Sequence, residues 1–149
     1  MGLISGVELT PLKIIKNPSG DVFHALKSNE TSFKGFGEAY FSTVNKGVAK
    51  GWKKHSRMTL NLIVPAGSIQ FVLFDDRPES ITYKTLQEIE LSIDNYQRMT
   101  VPPGIWMAFK GTGENRNILL NIADIPHDPS ETESLSLVND IIPYSGFIA

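Results

Sequence analysis

Lys50, Lys53, His55 and Arg57 fall within KGWKKHSR (50–57), directly before the apolar run MTLNLIV (58–64). An uninterrupted strand over 52–64 sends alternate residues to opposite faces. One face carries Trp52, Lys54, Ser56, Met58, Leu60, Leu62 and Val64; the other carries Lys53, His55, Arg57, Thr59, Asn61 and Ile63. On the second face Lys53, His55 and Arg57 stand about 7 Å apart, near enough to repel. Cations crowded in this way suit an anionic ligand such as a phosphate or diphosphate. The same crowding favours the neutral form of a lysine or histidine, which a general base requires. A polar strand face has two homes in a barrel, bulk water or a wet interior cavity. The apolar neighbours LIVPAG and IQFVLFD set this hairpin deep in a sheet, but alternation alone leaves both homes open.

The elements that must position these residues are short strands. Segments of β character recur every 8 to 12 residues: Glu8–Ile15, Asp21–Leu26, Glu38–Thr43, Val48–Lys53, Met58–Val64, Ser68–Phe74, Leu86–Ile93, Gln97–Val101, Trp106–Phe109 and Asn117–Ala123. NPSGD, NKG, PAGS, DDRPES, PPG and GTGENR separate them with turn chemistry. Near the end, Ser130 and Glu133 have capping-box spacing and predict a short helix over 131–139. The pattern predicts one all-β domain over 1–149, a sandwich or barrel, and such barrels commonly open into a ligand pocket.

Several chemistries find no support. A net charge of −2 gives no field favouring nucleic acid or an anionic membrane. The absence of cysteine removes disulfides, thiolate zinc sites and a cysteine nucleophile. GFGEAY (35–40) and GTGENR (111–116) lack the third glycine of a dinucleotide fingerprint, and no G-x-S-x-G elbow is present. His24, His55 and His127 form no metal-ligand pair by spacing, so the sequence gives no support for a metal site. The amino terminus MGLISGVELT has no signal-peptide pattern, and a cytoplasmic location is expected.

GDVFHALK, GFGEAYFSTVNKGVAKGWKKH, MTLNLIVPAGSIQFVLFDDR, VPPGIWMAFKG and IPHDPSETE follow one another as in the dTDP-4-dehydrorhamnose 3,5-epimerase-like cupins, which the chain resembles over roughly 6–147. It is also similar to the dTDP-sugar 3,4-ketoisomerases. The resemblance implies a cupin jelly-roll barrel, to which the short carboxy-terminal helix is added, and a homodimer. It implies a 4-keto-6-deoxy sugar nucleotide as substrate, with a proton removed beside the ketone and returned to carbon without a metal or organic cofactor.

Site residues follow from the same resemblance. KGWK aligns with an R-G-x-H segment and puts Lys53 at the epimerase base, while KGWKKH keeps the second ketoisomerase histidine as His55. VND (138–140) nominates Asp140 as the carboxylate that pairs with the base. ADIP (123–126) stands where the epimerases carry their acidic tyrosine, so Tyr40 or Tyr144 is expected to supply the acid. Arg57, His24, Asn61 and Lys50 are expected to bind substrate, His24 standing in SGDVFH in place of the acidic residue of the family's nucleotide-holding R-G-F-F-F-E segment. The alternative is a non-catalytic cupin that keeps the cationic pocket and binds a sugar nucleotide or another anionic carbohydrate.

Overall fold

In the computed structural model, which describes residues 2–147, two five-stranded antiparallel sheets face each other. The strands are β1 (Glu8–Pro11), β2 (Ile14–Ile15), β3 (Val22–Phe23), β4 (Glu38–Val44), β5 (Ala49–His55), β6 (Leu60–Ala66), β7 (Ser68–Asp75), β8 (Leu86–Ser92), β9 (Gln97–Val101), β10 (Ile105–Gly111), β11 (Asn117–Ala123) and β12 (Thr132–Leu135). The first sheet has the order β1-β9-β6-β11-β4 and the second β12-β5-β10-β7-β8, while β2 and β3 form a small separate ribbon. This is the all-β, cupin-like architecture expected from the strand spacing and the resemblance.

Alternation builds the core between the sheets. Leu60, Leu62 and Val64 of β6, Met99 and Val101 of β9, and Leu119 of β11 meet Ile69, Phe71 and Leu73 of β7, Leu91 of β8 and Ile105 of β10. Each such side chain contributes about 1.5–3 kcal/mol on burial. The outer face of the second sheet carries another apolar cluster, Trp52, Val72, Phe74, Trp106 and Ala108, covered by Ile142, Tyr144 and Phe147 of the carboxy-terminal tail. The β6–β7 turn rests on Gly67, whose φ of +78° and lack of a Cβ are both needed. A Cβ there lies 2.3 Å from Asn117 Oδ1 and 2.6 Å from the Arg116 carbonyl oxygen.

The expected helix over 131–139 does not form. A single 3-10 turn, Pro129–Glu131, is capped by the Asp128 side chain, which accepts from the Ser130 backbone N–H. The chain then runs on as β12, pairing Thr132 with His55 and Leu135 with Trp52. The edge of β5 offers a full ladder of hydrogen bonds, which outweighs the weak local helix signal. Among the described residues no helix is long and apolar enough to cross a membrane.

Candidate active site

The strand carrying Lys53 and His55 is not uninterrupted to residue 64. β5 ends at His55, a bend follows, and β6 begins at Leu60. Within β5 the pairing with β10 slips: Met107 faces Lys53 and Phe109 faces Lys50, so three residues of β5 span two of β10. This bulge lets Lys50, Lys53 and His55 reach the same space although Lys50 has the opposite parity. All three line a cavity of about 250 Å³ between the sheets. Its opposite wall is Tyr40 and Ser42 of β4 with Asn121 of β11, and its floor is apolar, including Met58, Leu60, Met107 and Leu119.

His55 is held by Glu131. The ring Nδ1 makes a hydrogen bond to Glu131 Oε1, and this carboxylate is buried in the 3-10 turn just before β12. Glu131 Oε2 accepts from the backbone N–H groups of Arg57 at 3.1 Å and Met58 at 3.2 Å, and Oε1 also accepts from Thr132 Oγ1 at 3.1 Å. Burial raises the Glu131 carboxyl, but the bonds from His55, Arg57 and Met58 outweigh it and hold the group below the usual glutamate range. An ionised carboxylate at Nδ1 fixes the proton there and leaves Nε2 as the free ring nitrogen. It also stabilises the imidazolium that forms when Nε2 takes up a proton, as in any base–orienter pair.

The two cavity lysines differ. Lys50 Nζ donates to the Thr43 carbonyl oxygen at 2.8 Å and lies 6.0 Å from the centre of the Phe109 ring, tying β5 to β4. Lys53 lines the cavity and makes no ion pair with a carboxylate among the described residues, whereas the neighbouring Lys54 is paired with Asp76 and Glu133. Across the cavity, Tyr40 Oη accepts from Asn121 Nδ2 at 3.1 Å. Burial, with a smaller contribution from Glu38, raises the Tyr40 phenol, which stays protonated at neutral pH.

Other expected site residues lie elsewhere. Asp140 is exposed in the tail and does not line the cavity; the carboxylate beside His55 is Glu131. Tyr144 sits on the outer face of the second sheet against Trp52, with its hydroxyl donating to Glu88 at 2.7 Å. Arg57 follows the bend after β5 and pairs with Asp128 at 2.9 Å near solvent. Asn61 faces outward from the first sheet, where it accepts from Arg98 and Thr100 and donates to the Ser32 carbonyl oxygen. The buried Arg98 in turn binds Glu30 and Ser32, so this network fastens the 24–34 segment to the sheet. His24 lines a separate surface groove with Lys13, Lys27 and Glu30. Among the described residues no three histidine or carboxylate side chains converge as metal ligands.

Sequence reasoning missed Glu131, Ser42 and Asn121. Glu131 lies in IPHDPSETE, where the capping-box spacing of Ser130 and Glu133 fits a helix start equally well. Asn121 is a lone polar residue in the apolar run ILLNIA, a pattern that gives no partner.

Comparison with known proteins narrows the chemistry. The sequence profile of dTDP-4-dehydrorhamnose 3,5-epimerase matches residues 4–142. The crystal structure of a dTDP-sugar isomerase from Desulfovibrio desulfuricans is similar at a TM-score of 0.92 and 38% identity, over 95% of this chain and 91% of that one. A dTDP-4-dehydrorhamnose 3,5-epimerase from Bacillus anthracis, solved with TDP and pyrophosphate, shares the fold at a TM-score of 0.83 and 18% identity, over 94% and 84% of the two chains. Among curated proteins, a probable low-salt glycan biosynthesis epimerase of Haloferax volcanii is 27% identical over 120 residues, 79% of this chain and 77% of that protein.

Proposed function

The chain belongs to the dTDP-4-dehydrorhamnose 3,5-epimerase family, and from that premise we propose how its cavity works as a sugar-nucleotide isomerase. The substrate is a 4-keto-6-deoxy sugar carried on a nucleoside diphosphate, with dTDP as the nucleotide. His55 Nε2 removes a proton from a carbon next to the ketone, and the electron pair moves to the ketone oxygen as an enolate. Lys53, which has no carboxylate partner among the described residues, stabilises that oxyanion. Tyr40, protonated and on the opposite wall, returns a proton to carbon. Lys50 is part of the anion-binding rim. The observation that carries this reading is the His55–Glu131 pair at the wall of a cavity otherwise rich in cations.

Return of the proton to the same carbon from the other face gives an epimer, and return at another carbon gives a ketoisomer. ADIP (123–126) stands where the resemblance expects the family's acidic tyrosine, and Tyr40 on the cavity wall takes that role in this reading. We also assign a homodimer. β4 is an edge strand with Phe41 exposed on its outer face and Phe36 exposed just before it, apolar surface that a second copy would cover. A cytoplasmic location belongs to the same reading and suits a chain without cysteine.

The test is incubation with dTDP-4-keto-6-deoxyglucose in deuterated water, followed by NMR. Deuterium at carbon 3 or 5 is expected. No incorporation with this sugar or with its other nucleotide forms overturns proton abstraction, and a thermal shift with dTDP in that event identifies a binding protein.

A further inference from the structure

Asn121 is 7% exposed and lies in the middle of β11, directly opposite Tyr40 in the β11–β4 pairing. Its Nδ2 donates to Tyr40 Oη at 3.1 Å, whereas its Oδ1 is buried without any hydrogen-bond partner. A buried unpaired carbonyl is costly, and the core side chains around it, Leu62 directly across on β6 and Leu119 two residues along β11, make an apolar residue the natural occupant. The opposite amide orientation is worse, because it strands an N–H2 group instead of a carbonyl, and orphaned N–H groups are the rarer of the two. The fold thus retains a polar side chain at a cost, beside the one tyrosine in the cavity wall.

We propose that Asn121 is the positioning residue for Tyr40: its amide N–H occupies the phenol oxygen, so that the Tyr40 O–H proton points into the cavity toward the substrate carbon. The proposal rests on the isomerase reading above and adds a residue that acts only through Tyr40. In the step concerned, the Tyr40 O–H bond breaks as a C–H bond forms on the enolate, and the ketone is restored. Tyr40 is left as phenolate, accepting from Asn121, until solvent reprotonates it. His55 meanwhile loses the abstracted proton to solvent, and the balance closes.

Asn121→Leu, Tyr40→Phe and the double variant test this by product formation and by melting temperature. Asn121→Leu is expected to lower kcat roughly 10-fold or more with KM little changed, since misplacing a reacting group is that expensive. Its melting temperature is expected to equal or exceed the wild-type value. In the Tyr40→Phe background the same substitution is expected to do nothing further. A kcat equal to wild type, or an equal loss in both backgrounds, overturns the proposal. If Asn121→Leu does not fold, Asn121→Ser removes the amide without adding volume and is read in the same way.

A protein that exchanges no substrate proton at all defeats the isomerase reading, and the Asn121–Tyr40 link is then judged without activity. Ultraviolet titration of the phenolate, with Tyr40→Phe as the difference reference, is expected to move upward in Asn121→Leu because a donor to the phenolate is lost. Glu38 on β4 and the cavity cations Lys50, Lys53 and His55 are unchanged between the two proteins. An unmoved titration overturns the proposal.

Discussion

Replacing Glu131 by glutamine changes one atom type and should disable the base. The carboxylate now receives two backbone N–H groups at Oε2, from Arg57 and Met58, and the His55 Nδ1 at Oε1. A glutamine has a single oxygen to offer. Turned toward the backbone, that oxygen satisfies both N–H groups, and the amide N–H2 then faces His55. Turned the other way, two buried N–H groups meet another donor. The difference is two unsatisfied donors at about 1–3 kcal/mol each, roughly 2–6 kcal/mol together, which favours the first orientation by about 30-fold or more. In that orientation the amide donates to Nδ1, so the imidazole carries its proton on Nε2 and has no lone pair there for the substrate. The loss of general-base catalysis, together with the lost support for the imidazolium, is expected to slow exchange by about 100-fold or more. Folding stability is expected to fall by about 1–3 kcal/mol through the loss of charge-assisted bonds. Deuterium incorporation into dTDP-4-keto-6-deoxyglucose is the assay, with His55→Asn as the inactive reference and circular dichroism as the check on folding. A folded Glu131→Gln protein that exchanges within about 3-fold of wild type would refute the dyad.

Two further outcomes follow from the same geometry. Lys53→Met is expected to slow exchange by roughly 100-fold, the scale for losing one oxyanion donor, while leaving it measurable above His55→Asn; unchanged exchange removes Lys53 from the reaction, and complete loss transfers the base role to it. At alkaline pH the tail should loosen: burial, then the hydrogen bond and charge of Glu88, push the Tyr144 phenol up to about 12 from 10.0. The folded value lies above the unfolded one, so the stability of this contact is complete below pH 10 and is lost as pH rises toward 12. Trp52 touches the Tyr144 ring edge at 6.3 Å between centroids, and its fluorescence should report the change; a constant spectrum through pH 12 contradicts it.

The contrast between Lys53 and Arg57 shows how far alternation reaches. Both sit on the same parity of KKHSR, yet only Lys53 and His55 line the cavity, because β5 stops at His55 and the bend turns Arg57 toward Asp128. Asn61 shares that parity too, but it belongs to the next strand, whose even residues Leu60, Leu62 and Val64 face the core. Alternation is reset wherever a strand ends. Lys50 shows the reverse effect, since the slip between β5 and β10 brings it into the cavity against its parity. Such a bulge leaves no fixed mark in the residues that make it.

Periodicity of two, interrupted by PAGS, NKG and PPG, determined the all-β class, and nearly every strand of the two sheets was expected within a few residues. Motif order determined the family, and the density of cations before MTLNLIV marked the strand that would carry the site. These are local properties, fixed by neighbours in the chain. The tertiary structure alone decided that Glu131, 76 residues from His55, is its carboxylate, and that Asn121, 81 residues from Tyr40, holds the phenol. Tyr144 had the right chemistry but was drawn to the outside of the second sheet by the apolar cluster around Trp52, and Asp140 lies exposed in the tail. Which carboxylate reaches His55 and which phenol enters the cavity depend on strand order and on the packing of both sheet faces, and neither is encoded in the spacing of the groups themselves.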